Sequence, residues 1–381
     1  MLDYLAWRGD ITLRERAFNE VDNLILATLA YLNMKGLVPG PESGETVPMP
    51  ELLRRYEAAG YDQSDRHTDA LPLLKQAADT RRFGTMRVGA YVDVLDEAKQ
   101  SQFSASAWYL EDDSVYVAFR GTDGTIAGWH EDFNLSYLSE TPAQSEAVHY
   151  LDRAAERTAG PIRVGGHSKG GNLAVYAAAF CGEAARERIV TVYSDDGPGF
   201  NSAISGNGAY QAILDRVELI VPESSFVGIL MSNKEEKHIV KSSASGPWQH
   251  DPYTWQVRGA AFETADALSD GSAFMDETLD RWVEEMDAEQ MEQLTSAIFG
   301  SVKASGASTF RELHASWRSS YLAVLDAVRK LDPIQRRGAL DSLRKLLTAG
   351  EETAQDEARK LLMKFLQENG IKLPNESEKE R

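Results

Sequence analysis

Across residues 1 to about 85, apolar positions recur at helical spacing. In VDNLILATLAYL, Ile25, Leu29 and Leu32 share one face. In LPLLKQAADTRRF, Pro72 stands where a first helical turn tolerates it. The stretch between them, GLVPGPESGETVPMP, reads as a Pro/Gly-rich connection. From about 86 to 260 the pattern changes to short runs rich in β-branched and aromatic residues. SASAWYL, VYVAFRG, PIRVGG, IVTVYS, VELIVP and HIVKSS are separated by turn residues and helical stretches. Strands alternating with helices predict an α/β fold, a mostly parallel sheet with helices on both faces. Beyond about 261 the strand signals stop. DETLDRWVEEMDAEQMEQLTSAIF, FRELHASWRSSYLAVLDAVRKL and GALDSLRKLLTAG are amphipathic helical segments, and NESEKER reads as a solvated tail. The expected organisation is a helical N-terminal addition over 1–85, an α/β core over 86–260 and a helical C-terminal addition over 261–381.

One stretch carries a chemical signal. VGGHSKGGNLAVYAAAF runs from a buried strand through glycines into strong helix formers, with Leu173, Tyr176, Ala177 and Phe180 on one helix face. Gly166, Ser168 and Gly170 fit the G-x-S-x-G spacing of a nucleophile elbow, in which a strand-to-helix turn displays a serine at the top of a sheet. The plainer reading is a Gly-rich turn whose serine caps a helix.

Composition narrows the classes that can use such a serine. A net charge of −19 argues against a general nucleic-acid binder and against electrostatic adhesion to anionic lipid. The single cysteine, Cys181, excludes an intrachain disulfide and reads as a small buried hydrophobe. The longest uncharged apolar run, NLILATLAYLNM, is shorter than the roughly 18 residues a membrane span needs, so no stable membrane insertion is expected. The N-terminal residues lack the apolar core of a signal peptide, and a cytoplasmic location is the expectation. Oligomeric state is not legible.

An acyl-transfer serine needs a base, a carboxylate that orients the base, and donors for the oxyanion. Three histidines follow Ser168. His238 opens a strand and reads as structural, and His314 lies in a charged amphipathic helix. His250, in SGPWQHDPYTWQV, sits on a loop after the last strand and is the expected base. For the acid, IVTVYSDDGPGF ends a strand in Asp195 and Asp196 before a Gly-Pro-Gly turn. Adjacent strand residues point to opposite faces, so at most one faces the site. Asp196, next to the turn, is preferred. Asp195 and Glu223, in VPESSFVG, are the alternatives. Upstream, VYVAFRGTDGT runs from a strand into Gly and Thr, which nominates Thr122 as one oxyanion donor and the Lys169 N–H as the second. Arg120 is expected to hold this loop by pairing with Asp132. The Lys169 side chain is expected either to add positive charge beside the acyl centre and meet an anionic substrate group, or to be a solvated lysine paired with an acid. None of these roles calls for a metal or another cofactor.

VAFRGT, then Trp129 and Asp132 in WHEDF, then GGHSKGGNLA resemble the class 3 lipase pattern of oxyanion loop and elbow. With SDDGPGF, PESSFVGIL, QHDPYTW and the N-terminal NEVDNLILATLAYL added, residues 3 to 260 resemble the bacterial Mbeg1-like family of lipase-like α/β-hydrolases. The resemblance implies an α/β-hydrolase fold, Ser168 as nucleophile and His250 as base. It also supports Asp196, because an acid directly after a strand and before a Gly-Pro stretch has precedent among lipases. Lys169 departs from the class 3 pattern, where an apolar residue usually follows the serine. The function so implied is a serine hydrolase acting on a small-molecule or lipid acyl ester. The same machinery serves thioesters and peptides. The alternative is a non-catalytic binding or scaffold protein on the same fold.

Overall fold

The computed structural model describes residues 1–272, apart from 61–69, 97, 100, 123–125, 136–137, 226, 232 and 270–271. Chain contacts define two compact units, Met1–Asp123 with Ala127–Val283, and Gly124–Ile126 with Glu284–Arg381. The described residues other than Ile126 belong to the first. The helical segments expected beyond 272, His314 among them, lie outside the described residues.

The chain opens with α1 (Leu2–Arg8) and α2 (Glu20–Leu29). Asn19 caps α2, accepting from Val21 N and Asp22 N while Asp22 bonds back to the Asn19 N–H, a reciprocal pair that fixes where the helix starts. Then come β1 (Thr46–Pro48), α3 (Met49–Ala59) and α4 (Leu71–Ala78), the last with Pro72 in its first turn. A buried guanidinium ties this region together. Arg82 Nε donates to Asp22 Oδ1 at 2.7 Å, and its terminal nitrogens donate to the carbonyls of Ile11, Arg16 and Ala17.

The sheet is built from β1, β2 (Arg87–Asp96), β3 (Ser101–Tyr109), β4 (Val115–Phe119), β5 (Ile162–His167), β6 (Ile189–Asp195), β7 (Val217–Pro222) and β8 (Lys237–Val240), in sequential order. The pairings from β1 to β4 are antiparallel and those from β4 to β8 parallel. Between β4 and β6 run α5 (Ile126–Asn134), α6 (Pro142–Glu156) and α7 (Lys169–Phe180). Strand alternation assigns the faces. On β4, Tyr116 and Ala118 pack into a cluster with α1 to α4, whereas Val115, Val117 and Phe119 pack into a second cluster with α6 and α7. This helix-covered sheet, with its strand–turn–helix at β5 and α7, is the α/β-hydrolase fold.

Three strands depart from the sequence pattern. β1 lies inside the Pro/Gly-rich connection, where Pro48 is tolerated because the strand is at the sheet edge. β2 carries a bulge between Gly89 and Val92, with Ala90 at φ 53°, which breaks the alternation by which a strand is recognised. A two-residue strand, Ala261–Phe262, pairs with Val257–Arg258 at the point where strand signals were expected to have ended. Among the described residues no helix is long and apolar enough to cross a membrane.

Candidate active site

Strands β4 to β7 end at one edge of the sheet, where ligands gather in folds of this kind. Four turns leave that edge: Gly121–Thr122 after β4, Ser168 after β5, Asp196 after β6, and residues 223–225 after β7. Ser168 stands between β5 and α7 at φ 59°, ψ −132°, a region that L-residues enter only when the surroundings impose it. Its N–H donates to the Asp195 carbonyl at 2.9 Å, and its own carbonyl accepts from Gly171 N at 2.9 Å. The flanking glycines are steric requirements. A Cβ at Gly166 would lie 2.4 Å from the Gly170 carbonyl carbon, and one at Gly170 would lie 2.2 Å from Phe119 O.

Asp196 follows β6 with φ 49°, and its N–H donates to Ile220 O at 2.7 Å. This turns its fully buried carboxylate out of the strand alternation. Oδ1 accepts from Ser225 Oγ at 2.5 Å and Gly228 N at 3.0 Å, while Oδ2 lies 2.6 Å from His250 Nδ1. The cradle requires glycine at 228, where a Cβ would fall 2.4 Å from Asp196 Oδ1. His250 itself closes a one-turn 3₁₀ segment, Gly246–His250, whose Gln249 accepts from Ser224 N at 2.8 Å and from Trp255 Nε1, through its carbonyl, at 2.8 Å.

The alternative acids have other partners. Asp195 is fully buried, and both its oxygens accept from Asn23 Nδ2 at 2.9 Å. Burial drives its pKa far above the ordinary carboxyl value. Glu223 is half-buried. Its main-chain N–H donates to Val240 O and its carbonyl accepts from Ser269 N. His238 pairs with Glu20 at 3.2 Å, which raises its pKa.

On the loop after β4, a Cβ placed at Gly121 would lie 3.2 Å from Ser168 Cβ, so this backbone runs directly beside the elbow. Thr122 Oγ1 donates to Asp132 Oδ2 at 2.6 Å. Desolvation raises the Asp132 carboxyl to about 6, opposed by the charge of Lys169 and by the Thr122 bond. The expected Arg120–Asp132 pair is not formed. Arg120 instead reaches Asp93 on β2 at 2.9 Å, its side chain buried against that strand's carboxylate rather than lying along the loop.

Lys169 corrects a second expectation. Its side chain neither reaches toward a ligand nor lies in solvent. It is fully buried, and Nζ donates to Glu131 Oε2 at 2.8 Å, Gln102 O at 2.8 Å and Gln102 Oε1 at 3.1 Å. Glu131 in turn accepts from Gln102 N and Ala143 N. The pair therefore joins α7, α5, β3 and the start of α6 beneath the loop that carries Thr122. Lys169→Met would leave the Glu131 carboxylate buried without its cation. A loss of about 3–5 kcal/mol in stability is expected by denaturant titration, with much of it recovered in Lys169→Met/Glu131→Gln. An unchanged midpoint in the single variant would contradict this role.

No curated protein matches the chain. Among solved structures, M37 lipase is similar at 17% identity over 56% of this chain and 70% of that one, with a TM-score of 0.37. Rhizomucor miehei lipase in its propeptide complex is similar at 18% identity over 65% and 75%, with a TM-score of 0.36. At so low a TM-score neither likeness specifies a site or an activity. Residues 77–300, more than half of the chain, match the Mbeg1-like family, and this protein belongs to that family.

Proposed function

We propose that the protein is a serine hydrolase that cleaves acyl esters through an acyl-enzyme on Ser168. The observation that carries this reading is the 2.6 Å contact between His250 Nδ1 and Asp196 Oδ2, at the sheet edge that also displays Ser168 on a strained turn. Ser225 and Gly228 both donate to Asp196 Oδ1, which holds the group with Oδ2 turned to His250. The carboxylate then accepts from His250 Nδ1–H and leaves Nε2 as the basic nitrogen. In this reading Ser168 Oγ attacks the acyl carbon, His250 takes its proton and passes it to the leaving alcohol, and water later releases the acid by the reverse path. The main-chain N–H groups of Thr122 and Lys169 receive the oxyanion. The Thr122 hydroxyl proton is committed to Asp132 whenever that carboxyl is ionised, so its contribution is to hold the loop.

A fluorophosphonate probe tests the reading, with the modified residue identified by mass spectrometry. Covalent labelling at Ser168, together with turnover of a panel of p-nitrophenyl esters of graded chain length, is the expected result. An unlabelled Ser168 in a folded protein that turns over no ester would favour the binding or scaffold alternative.

A further inference from the structure

His167, the last residue of β5, is buried and its ring stacks against that of His250, with centroids 4.5 Å apart and planes tilted by 34°. Its Nε2 lies 2.8 Å from the main-chain oxygen of His250. Its Nδ1 lies 3.1 Å from the hydroxyl of Tyr31, two residues beyond the end of α2. A carbonyl oxygen can only accept, so Nε2 carries a proton. Burial and the adjacent His250 ring hold the imidazole neutral, with its pKa brought down to about 3. Nδ1 is therefore an acceptor, and the Tyr31 hydroxyl donates to it. The same hydroxyl is wedged against the loop beside the elbow. A Cβ at Gly121 would fall 2.1 Å from it.

We propose that His167 and Tyr31 are positioning residues for the base: His167 anchors the main chain at His250, and Tyr31 fixes the tautomer in which His167 can do so. The proposal rests on reading His250 as the base of a serine hydrolase. It accounts for a bond that the triad itself does not use. His250 is on a loop, and a loop-borne base keeps its reach to a nucleophile only if its main chain is fixed. A misplacement of about 1 Å costs on the order of 10² in rate. Tyr31 fixes His167 in a geometry that neither the elbow nor the base loop provides alone.

The test uses the whole chain with three variants. His167→Leu keeps volume and loses the donor. His167→Gln returns an amide N–H close to the former Nε2, and Tyr31→Phe removes only the hydroxyl. The first is expected to lower kcat on a p-nitrophenyl ester about 10–100-fold with KM little changed, the second to restore kcat to within a few-fold of wild type, and the third to lower it about 3–10-fold. The far-downfield proton resonance of the His250 Nδ1–H should broaden or move upfield in His167→Leu and persist in His167→Gln. Wild-type kcat and an unchanged resonance in His167→Leu would overturn the proposal. So would equal losses in His167→Leu and His167→Gln, which would mark a packing role. If His167→Leu does not fold, wild-type kcat in Tyr31→Phe overturns it. Hydrolysis that survives in Ser168→Ala would instead remove the serine-hydrolase reading, and this proposal with it.

Discussion

Ser168→Ala is expected to lower ester hydrolysis by several orders of magnitude, toward the roughly 10⁶-fold loss that accompanies removal of a nucleophile acting as one unit with its base. Melting should shift by no more than about 2 °C, because the substitution removes one oxygen from a half-buried turn and leaves the main-chain bonds to Asp195 and Gly171 in place. The backbone strain at φ 59° remains in the variant, since alanine is no better suited to that region than serine. The check is kcat/KM on a chromogenic ester beside a thermal melt. Activity within tenfold of wild type would remove Ser168 as nucleophile.

Asp196→Asn is expected to cost about 10⁴ in kcat/KM, and the cradle explains why so small a change does so much. Two donors, Ser225 O–H and Gly228 N–H, converge on Oδ1. The new amide must turn its carbonyl oxygen to them, which places its NH₂ against His250 Nδ1. That nitrogen then accepts instead of donating, the proton moves to Nε2, and the ring loses its basic lone pair toward the serine. Glu223→Gln should change kcat/KM by less than about threefold, because the carboxylate on His250 Nδ1 is that of Asp196. Asp195→Asn should act on stability before rate, since its oxygens are occupied by Asn23. If Glu223→Gln proves the most damaging of the three, the acid lies on the other strand.

Much of the site edge was legible because its signals are local. The elbow is written in Gly166, Ser168 and Gly170 between a strand and a helix, and strand alternation separated Asp195 from Asp196. The structure adds the reason: Asp196 leaves the strand at φ 49°. Residue order leaves three histidines after Ser168, and the loop position of His250 singles it out among them. What was not legible depends on contacts that no short window contains. Tyr31 meets His167 across 136 positions, and Asn23 meets Asp195 across 172. Arg120 pairs not with Asp132, on the helix that follows its loop, but with Asp93 on β2, a contact between strands that no short window contains. Lys169 did leave a trace. The helix that it opens is apolar on every side, and such a helix is buried all round, so a lysine in its first turn has to find its carboxylate inside the protein.

The hydrophobic cluster shared by the N-terminal helices and the sheet has a consequence for the order of folding. Leu24, Ile25 and Leu29 pack in one cluster with Trp255 and Phe262, and Glu20 accepts a hydrogen bond at 2.7 Å from the Phe262 N–H, 242 positions away. At about 5–20 residues per second of synthesis, the first helices wait roughly 12–50 s for these partners to emerge. Through that interval the part of their apolar surface that meets Trp255 and Phe262 stays uncovered on the nascent chain, although α3, α4 and β4 have already emerged. Closure across so long a separation makes the docking of α2 against Trp255 and Phe262 a late, slow step of folding, when the chain is most open to wrong association.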